Sequence, residues 1–174
     1  MIISVEKAKA LTDLGGWTDE KIEMKLKAVE QTIRAYTHNN FQDRGYRVQA
    51  SIADGVIMSD TPVPFSVGDT VQISESQYNG GLYTITEITD TTCTVSENIK
   101  DENDVLVTRV VYPADVIDCC LNLLEWEKKH RGKVGIKSET LSRHSVTYED
   151  SASLFMGYPV GILGGVRLYK KARF

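Results

Sequence analysis

Residues 113–131, PADVIDCCLNLLEWEKKHR, constrain the fold more than any other stretch. Asp115, Asp118, Asn122, Glu125 and Lys129 recur at helical spacing and make one narrow polar stripe. Val116, Ile117, Cys119, Cys120, Leu121, Leu123, Leu124 and Trp126 fill nearly all the rest. A helix with so thin a wet face has to be packed over most of its circumference. Pro113 suits the first turn, where no amide donor is needed. Asp115 and Asp118 lie near the positive end of the dipole. Lys128, Lys129, His130 and Arg131 crowd the negative end, and Gly132 fits a left-handed cap. The stretch therefore predicts a central buried helix.

Two helices are predicted before it. Residues 2–11 read as a short helix with Ser4 as N-cap and Val5, Ala8 and Leu11 facing inward. A stronger one starts after Thr18, with Asp19 and Glu20 in its first turn and Trp17 placed to staple against Ile22. Ile22, Leu26, Val29, Ile33 and Tyr36 form its stripe, and Asn39-Asn40 is its expected end. From Phe41 the period changes from helical to alternating. Residues 46–52 and 56–58 flank Ala53-Asp54-Gly55, a hairpin signal. Val71 and Ile73, then Tyr83 and Ile85, alternate with polar residues, and Glu87 before Ile88 breaks parity as a bulge would. Residues 98–104 read as a charged loop and 105–112 as a last strand. Short strands at this spacing predict a small antiparallel barrel or sandwich. After the central helix, residues 141–148 read as extended, 149–157 as irregular and 162–171 as a weak helix interrupted by Gly164 and Gly165.

The expected fold class is therefore α+β: a small helical bundle around the central buried helix, 113–131, carrying an inserted antiparallel β-barrel or sandwich. The expected division is a helical domain of residues 1–41 with 113–174 and an inserted β-rich domain of residues 42–112. A chain of 174 residues is long enough for one such core and an insert.

No residue set announces a reaction. Cys119, Cys120 and His130 do not have metal-ligand spacing, because adjacent helical side chains point about 100° apart. The three cysteines, Cys93 included, read as buried small hydrophobes in a reducing compartment. His38, His130 and His144 lie far apart, and no G-x-S-x-G motif supports a nucleophile. Gly80-Gly81 and Gly164-Gly165 lack the phosphate-loop pattern. Asp101, Glu102 and Asp104 lack the calcium-loop pattern and read as a solvated loop. No catalytic residue, metal site or cofactor is expected. The net charge of −4 opposes general nucleic-acid binding by phosphate neutralisation. No apolar run reaches membrane-spanning length, and MIISVEKAKA lacks a signal-peptide layout. The tail cations Lys170, Lys171 and Arg173 leave two readings open, contact with an acidic partner or a frayed end.

The order of elements resembles the head–tail connector (adaptor) family of tailed bacteriophages. The residues that carry the likeness are SVEKAKALTDL, KIEMKLKAVEQTIRAYT, YPADVIDCCLNLLEWE, KSETLSRHSVTYED and YPVGILGGVRLYKKARF. The GDTVQIS and NGGLYTITEIT segments resemble small β-modules of phage structural proteins. The large β insertion departs from the compact helical adaptors. The resemblance implies a non-enzymatic virion protein of the neck, assembled in the host cytoplasm. It implies a ring, a dodecamer in this family, that docks on the portal protein, extends the DNA channel and offers a platform to the next neck or tail-completion protein. Double-stranded DNA would pass without sequence-specific binding, with no cofactor and no membrane.

Residues 138–150 and 158–174 carry more apolar groups than free loops need. Leu141, Val146, Tyr148, Tyr158, Tyr169 and Phe174, with Lys170, Lys171 and Arg173, are the expected partner-docking residues. Two rivals stay open. One is a β-barrel nucleic-acid- or ligand-binding module on a helical scaffold, which Arg47, Lys100 and Arg109 among many acids argue against. The other is a hydrolase whose groups converge only on folding.

Overall fold

The structure is a computed structural model in which residues 1–130, 138–141, 144–147 and 154–172 are described. The chain divides into two compact units, Met1 with Asn40–Val111, and Ile2–Asn39 with Tyr112–Phe174.

The first unit is a closed antiparallel barrel of six strands: β1 Gln42–Ala53, β2 Val56–Met58, β3 Thr70–Ser74, β4 Gly81–Ile88, β5 Thr92–Val95 and β6 Glu102–Val110. Neighbours run β1-β2-β5-β4-β3-β6, and β6 pairs back onto β1, as in Val48 opposite Val107. Alternation puts one side of each strand inside. Val48, Ala50 and Ile52 of β1 meet Ile57, Val71, Ile73, Ile85, Cys93, Val105 and Val107 in one buried core. Phe65, Val63 and Ile99 plug it from the connections. Closure leaves no unpaired sheet edge. Asp54 and Gly55 both have positive φ, 51° and 76°, as a tight two-residue hairpin turn requires. The parity break is a real register shift between Ile85 and Glu87 against β5. A larger shift between Asp43 and Arg47 on β1 was not foreseen.

The second unit holds α1 Val5–Leu11, α2 Asp19–Thr37 and α3 Ala114–His130. Lys7 N donates to Ser4 Oγ and Lys21 N to Thr18 Oγ1, so both expected N-caps form. α2 stops at His38, which takes the left-handed conformation at φ 50°, one residue before the expected asparagines. Pro113 stands just outside α3, its carbonyl accepting from Ile117 N. α3 buries Val116, Cys119, Cys120, Leu123 and Leu124 and leaves Asp115, Asp118, Asn122 and Lys129 exposed, as the stripe predicted. Past α3 come two hairpins. In the first, β7 Ser138–Leu141 pairs with β8 His144–Thr147, where one extended segment was expected. In the second, β9 Leu154–Phe155 pairs with β10 Tyr158–Pro159, turning at Met156 and Gly157, both with positive φ. The chain then makes α4 Val160–Leu163 and a 3₁₀ helix, Gly164–Tyr169.

This architecture overturns the expected helical bundle with an inserted module. Among the described residues strands take up as much of the chain as helices do, so the sheet is no accessory. Of the four α-helices described, only α2 and α3 exceed seven residues, and two helices cannot enclose a bundle core. The stripes that looked like bundle seams are covered more economically. α2 and α3 pack on each other, and the turn carrying buried Leu163 and Val166 packs on α3. The choice left open between barrel and sandwich resolves to a closed barrel. The charged loop also ends sooner than expected, because β6 begins at Glu102.

Candidate docking surface

The C-terminal segment sits where the two long helices can hold it. Tyr169 donates its hydroxyl to Asp115, 2.8 Å from each carboxylate oxygen, and this bond raises the phenol's pKa. Asn39 Nδ2 reaches the Tyr169 carbonyl at 3.2 Å, and Lys171 N donates to the Thr37 carbonyl at 2.8 Å. The Lys170 ammonium lies 3.8 Å from the centre of the Tyr36 ring, a cation–π contact. Tyr158 is buried, with its ring tilted against Trp126 at 5.9 Å. These bonds fix the backbone and leave apolar side chains outward. Leu168 is 91% exposed, and Met156 and Val160 are exposed as well.

Beside this segment a groove of about 520 Å³ runs along α3. Its lining joins the exposed Asp115, Asp118 and Asn122 to buried Cys119 and half-buried Trp126 and Ile162. Glu125, Lys129, His130, Gly161 and Gly165 complete it among the described residues. Glu125 pairs with Lys129 at 3.1 Å, and Asn122 Nδ2 donates to Asp118 at 3.0 Å. The Cys119 thiol donates to the Ile162 carbonyl at 3.6 Å.

The expected docking residues fall into three groups. Tyr158, Tyr169, Lys170 and Lys171 come together on α2 and α3, with Tyr158 covered inside its own unit. Leu141 and Val146 lie on β7 and β8, placed by their backbone alone. Tyr148, Arg173 and Phe174 lie outside the described residues. Sequence reasoning missed Met156 and Val160 as outward groups, and it missed the groove. A signal existed for Met156: Met-Gly between two short apolar pairs is a hairpin tip. It also missed Glu127, which is buried and paired with Lys25. Glu127 stands four residues after Leu123, on the buried face.

The cysteines behave as small hydrophobes. Burial pushes the Cys93 and Cys119 thiols up to about 11, and Cys120 is raised further. Among the described residues no His, Cys, Asp or Glu group is arranged to hold a metal ion. Glu102 is not a solvated loop residue. It accepts from Ser76 Oγ at 2.6 Å, Asn79 Nδ2 at 2.8 Å and the amide of Gln77, bonds that hold its pKa below the usual carboxylate value. Arg109 pairs with Asp43 at 2.8 Å under the ring of Tyr46, whose centre is 3.5 Å away.

Charge separates the two units. Eleven acidic and four basic residues lie in Asn40–Val111, a formal −7. Thirteen acidic and sixteen basic residues lie in the rest, a formal +3. No family model matches the chain, and no curated protein is significantly similar to it.

Proposed function

We propose that this chain is a structural, non-enzymatic subunit of the phage neck, a head–tail connector. It joins copies of itself into a ring that docks on the portal, extends the DNA channel and seats the next neck protein. The resemblance of its element order supplies the family. The observation that carries the docking role is the C-terminal segment. Its backbone is bonded to α2 and α3, while Leu168 is 91% exposed among Arg167, Lys170 and Lys171. A single exposed apolar side chain costs little by itself; on a segment tied to α2 and α3 and rich in cations it supplies the chemistry of a partner contact. The acidic barrel suits a passage for DNA better than a grip on it, since like charges repel phosphates.

The test is co-sedimentation with DNA-filled, tailless heads that lack this protein and come from the same genome. The full chain is expected to sediment with them and to restore tail joining. A chain that stays in the supernatant overturns the reading.

A further inference from the structure

The groove on α3 and the outward edge around Leu168 are complementary. The groove brings three carboxylates, Asp115, Asp118 and Glu125, to an apolar lining of Trp126 and Ile162. Arg167, Lys170 and Lys171 flank Leu168 in the sequence of the edge. Within the unit Asp115 is engaged by Tyr169, Asp118 by Asn122, Glu125 by Lys129 and Lys170 by Tyr36, so the complementarity is one of formal charge, acidic at the groove and basic at Arg167 and Lys171. Lys129 and His130 also line the groove, and Lys129 is drawn to Glu125. The wall of the groove is also open to close approach. A Cβ added to Gly161 or Gly165 would meet nothing within 4 Å, so the unit's own packing does not call for glycine at either place.

We infer that a second copy of this chain seats its Leu168 edge in this groove. Leu168 enters between Trp126 and Ile162, and Arg167 faces Asp118 and Glu125. This deepens the connector reading and rests on it for the ring. A head-to-tail contact of this kind repeats and closes into a ring where the rotation allows, whereas a reciprocal contact of the same two surfaces stops at a dimer, and the size of the species in sedimentation tells the two apart.

Sedimentation velocity of the full chain over a range of concentrations tests it, with circular-dichroism melting of each variant as a control on folding. The wild type is expected to form species larger than the monomer. Leu168→Asp is expected to weaken association about tenfold or more with the melting point unchanged, the size of loss an anchor residue gives. Arg167→Glu with Lys171→Glu alone sets a net acidic edge against an acidic groove. Asp118→Lys with Glu125→Lys alone sets a basic edge against a basic groove. Each is expected to stay monomeric, and their equimolar mixture, in which both contacts are matched again, is expected to associate. A wild type that is monomeric throughout, a Leu168→Asp variant that associates like the wild type, or a mixture that stays monomeric overturns the proposal. Head binding is read separately. Association through the groove without binding to heads overturns the connector reading and leaves this contact standing. Binding to heads with association indifferent to Leu168 does the reverse.

Discussion

The barrel and the helical unit solve burial in opposite ways. The barrel pairs every strand on both sides and fills its interior from alternating positions, so its strand pairing and its core are completed within one stretch of chain. Its surface carries a formal −7 and also exposes Tyr46, Met58, Val67, Tyr78 and Val111. The helical unit is assembled from both ends of the chain, has two long helices, and finishes with a one-turn helix and a 3₁₀ helix. It keeps Leu168, Val160 and Met156 outward. A closed sheet has no backbone edge left for a neighbour, so a neighbour of the barrel is met by side chains and grooves and not by strand pairing. The difference teaches where to look for assembly.

The largest effects should come from breaking each core separately. Ile57→Ala in the barrel and Leu124→Ala in α3 each truncate a side chain with no exposed surface. Each should cost about 2–5 kcal/mol, the lost transfer energy plus the cavity. In scanning calorimetry, Ile57→Ala should lower the transition of the barrel and Leu124→Ala that of the helical unit. If both substitutions move one shared transition equally, the two regions are not separate cores and the comparison fails.

Next in size is the buried ion pair of the helical unit. The Glu127 side chain is 1% exposed and that of Lys25 is 23% exposed. Glu127→Ala should cost about 1–3 kcal/mol, because it leaves an ammonium partly desolvated without its acceptor. The double variant Lys25→Met with Glu127→Leu should recover most of that loss, since an apolar pair carries no desolvation penalty. Denaturant titration checks both. A double variant as weak as the single one would show that the pair contributes more than its charges cost.

These sites also show how much the sequence made legible. The caps at Ser4 and Thr18 and the stripes of α2 and α3 were readable, because they rest on contacts within a few residues. The hairpin at Asp54-Gly55 and the bulge at Glu87 were readable for the same reason. Closure of the barrel was not, because it depends on β1 meeting β6 across the whole stretch. Nor was the absence of a bundle, since a stripe reports that it is covered and not by what. Tyr169 and Lys170 were legible only as an aromatic beside a cation. Their attachment to Asp115 and Tyr36, and the groove between α3 and residues about forty positions later, needed the fold.

A smaller effect distinguishes the barrel's surface. Glu102 is held below its ordinary value of 4.5, first by the Ser76 hydroxyl and then by the Gln77, Tyr78 and Asn79 donors. In the folded chain it therefore binds a proton later, as pH falls, than in the unfolded chain. Its stabilisation is fully present above about 4.5 and is lost as pH falls through the folded value. Glu102→Gln should flatten the acid limb of the barrel's stability curve below pH 4.5 and leave the helical transition unmoved. An unchanged acid limb would mean that other carboxylates govern it.

The smallest effect has the opposite sign. Neither Gly161 nor Gly165 has a positive φ, and a methyl group added at either finds open space. Alanine there should stabilise the isolated unit by about 0.4–1 kcal/mol, by restricting the unfolded chain. A unit selected only for its own stability would gain from that change. A unit whose groove receives a neighbour would lose by it, because each methyl group narrows the wall against which Leu168 seats. Gly165→Ala should therefore raise the melting point slightly at concentrations where the chain is monomeric. The same variant should weaken self-association in sedimentation velocity. A rise in melting point with association intact would place the neighbour elsewhere. A fall in melting point would mean that the glycine serves the unit's own packing, and the contrast between a finished barrel and an open helical unit would lose its clearest mark.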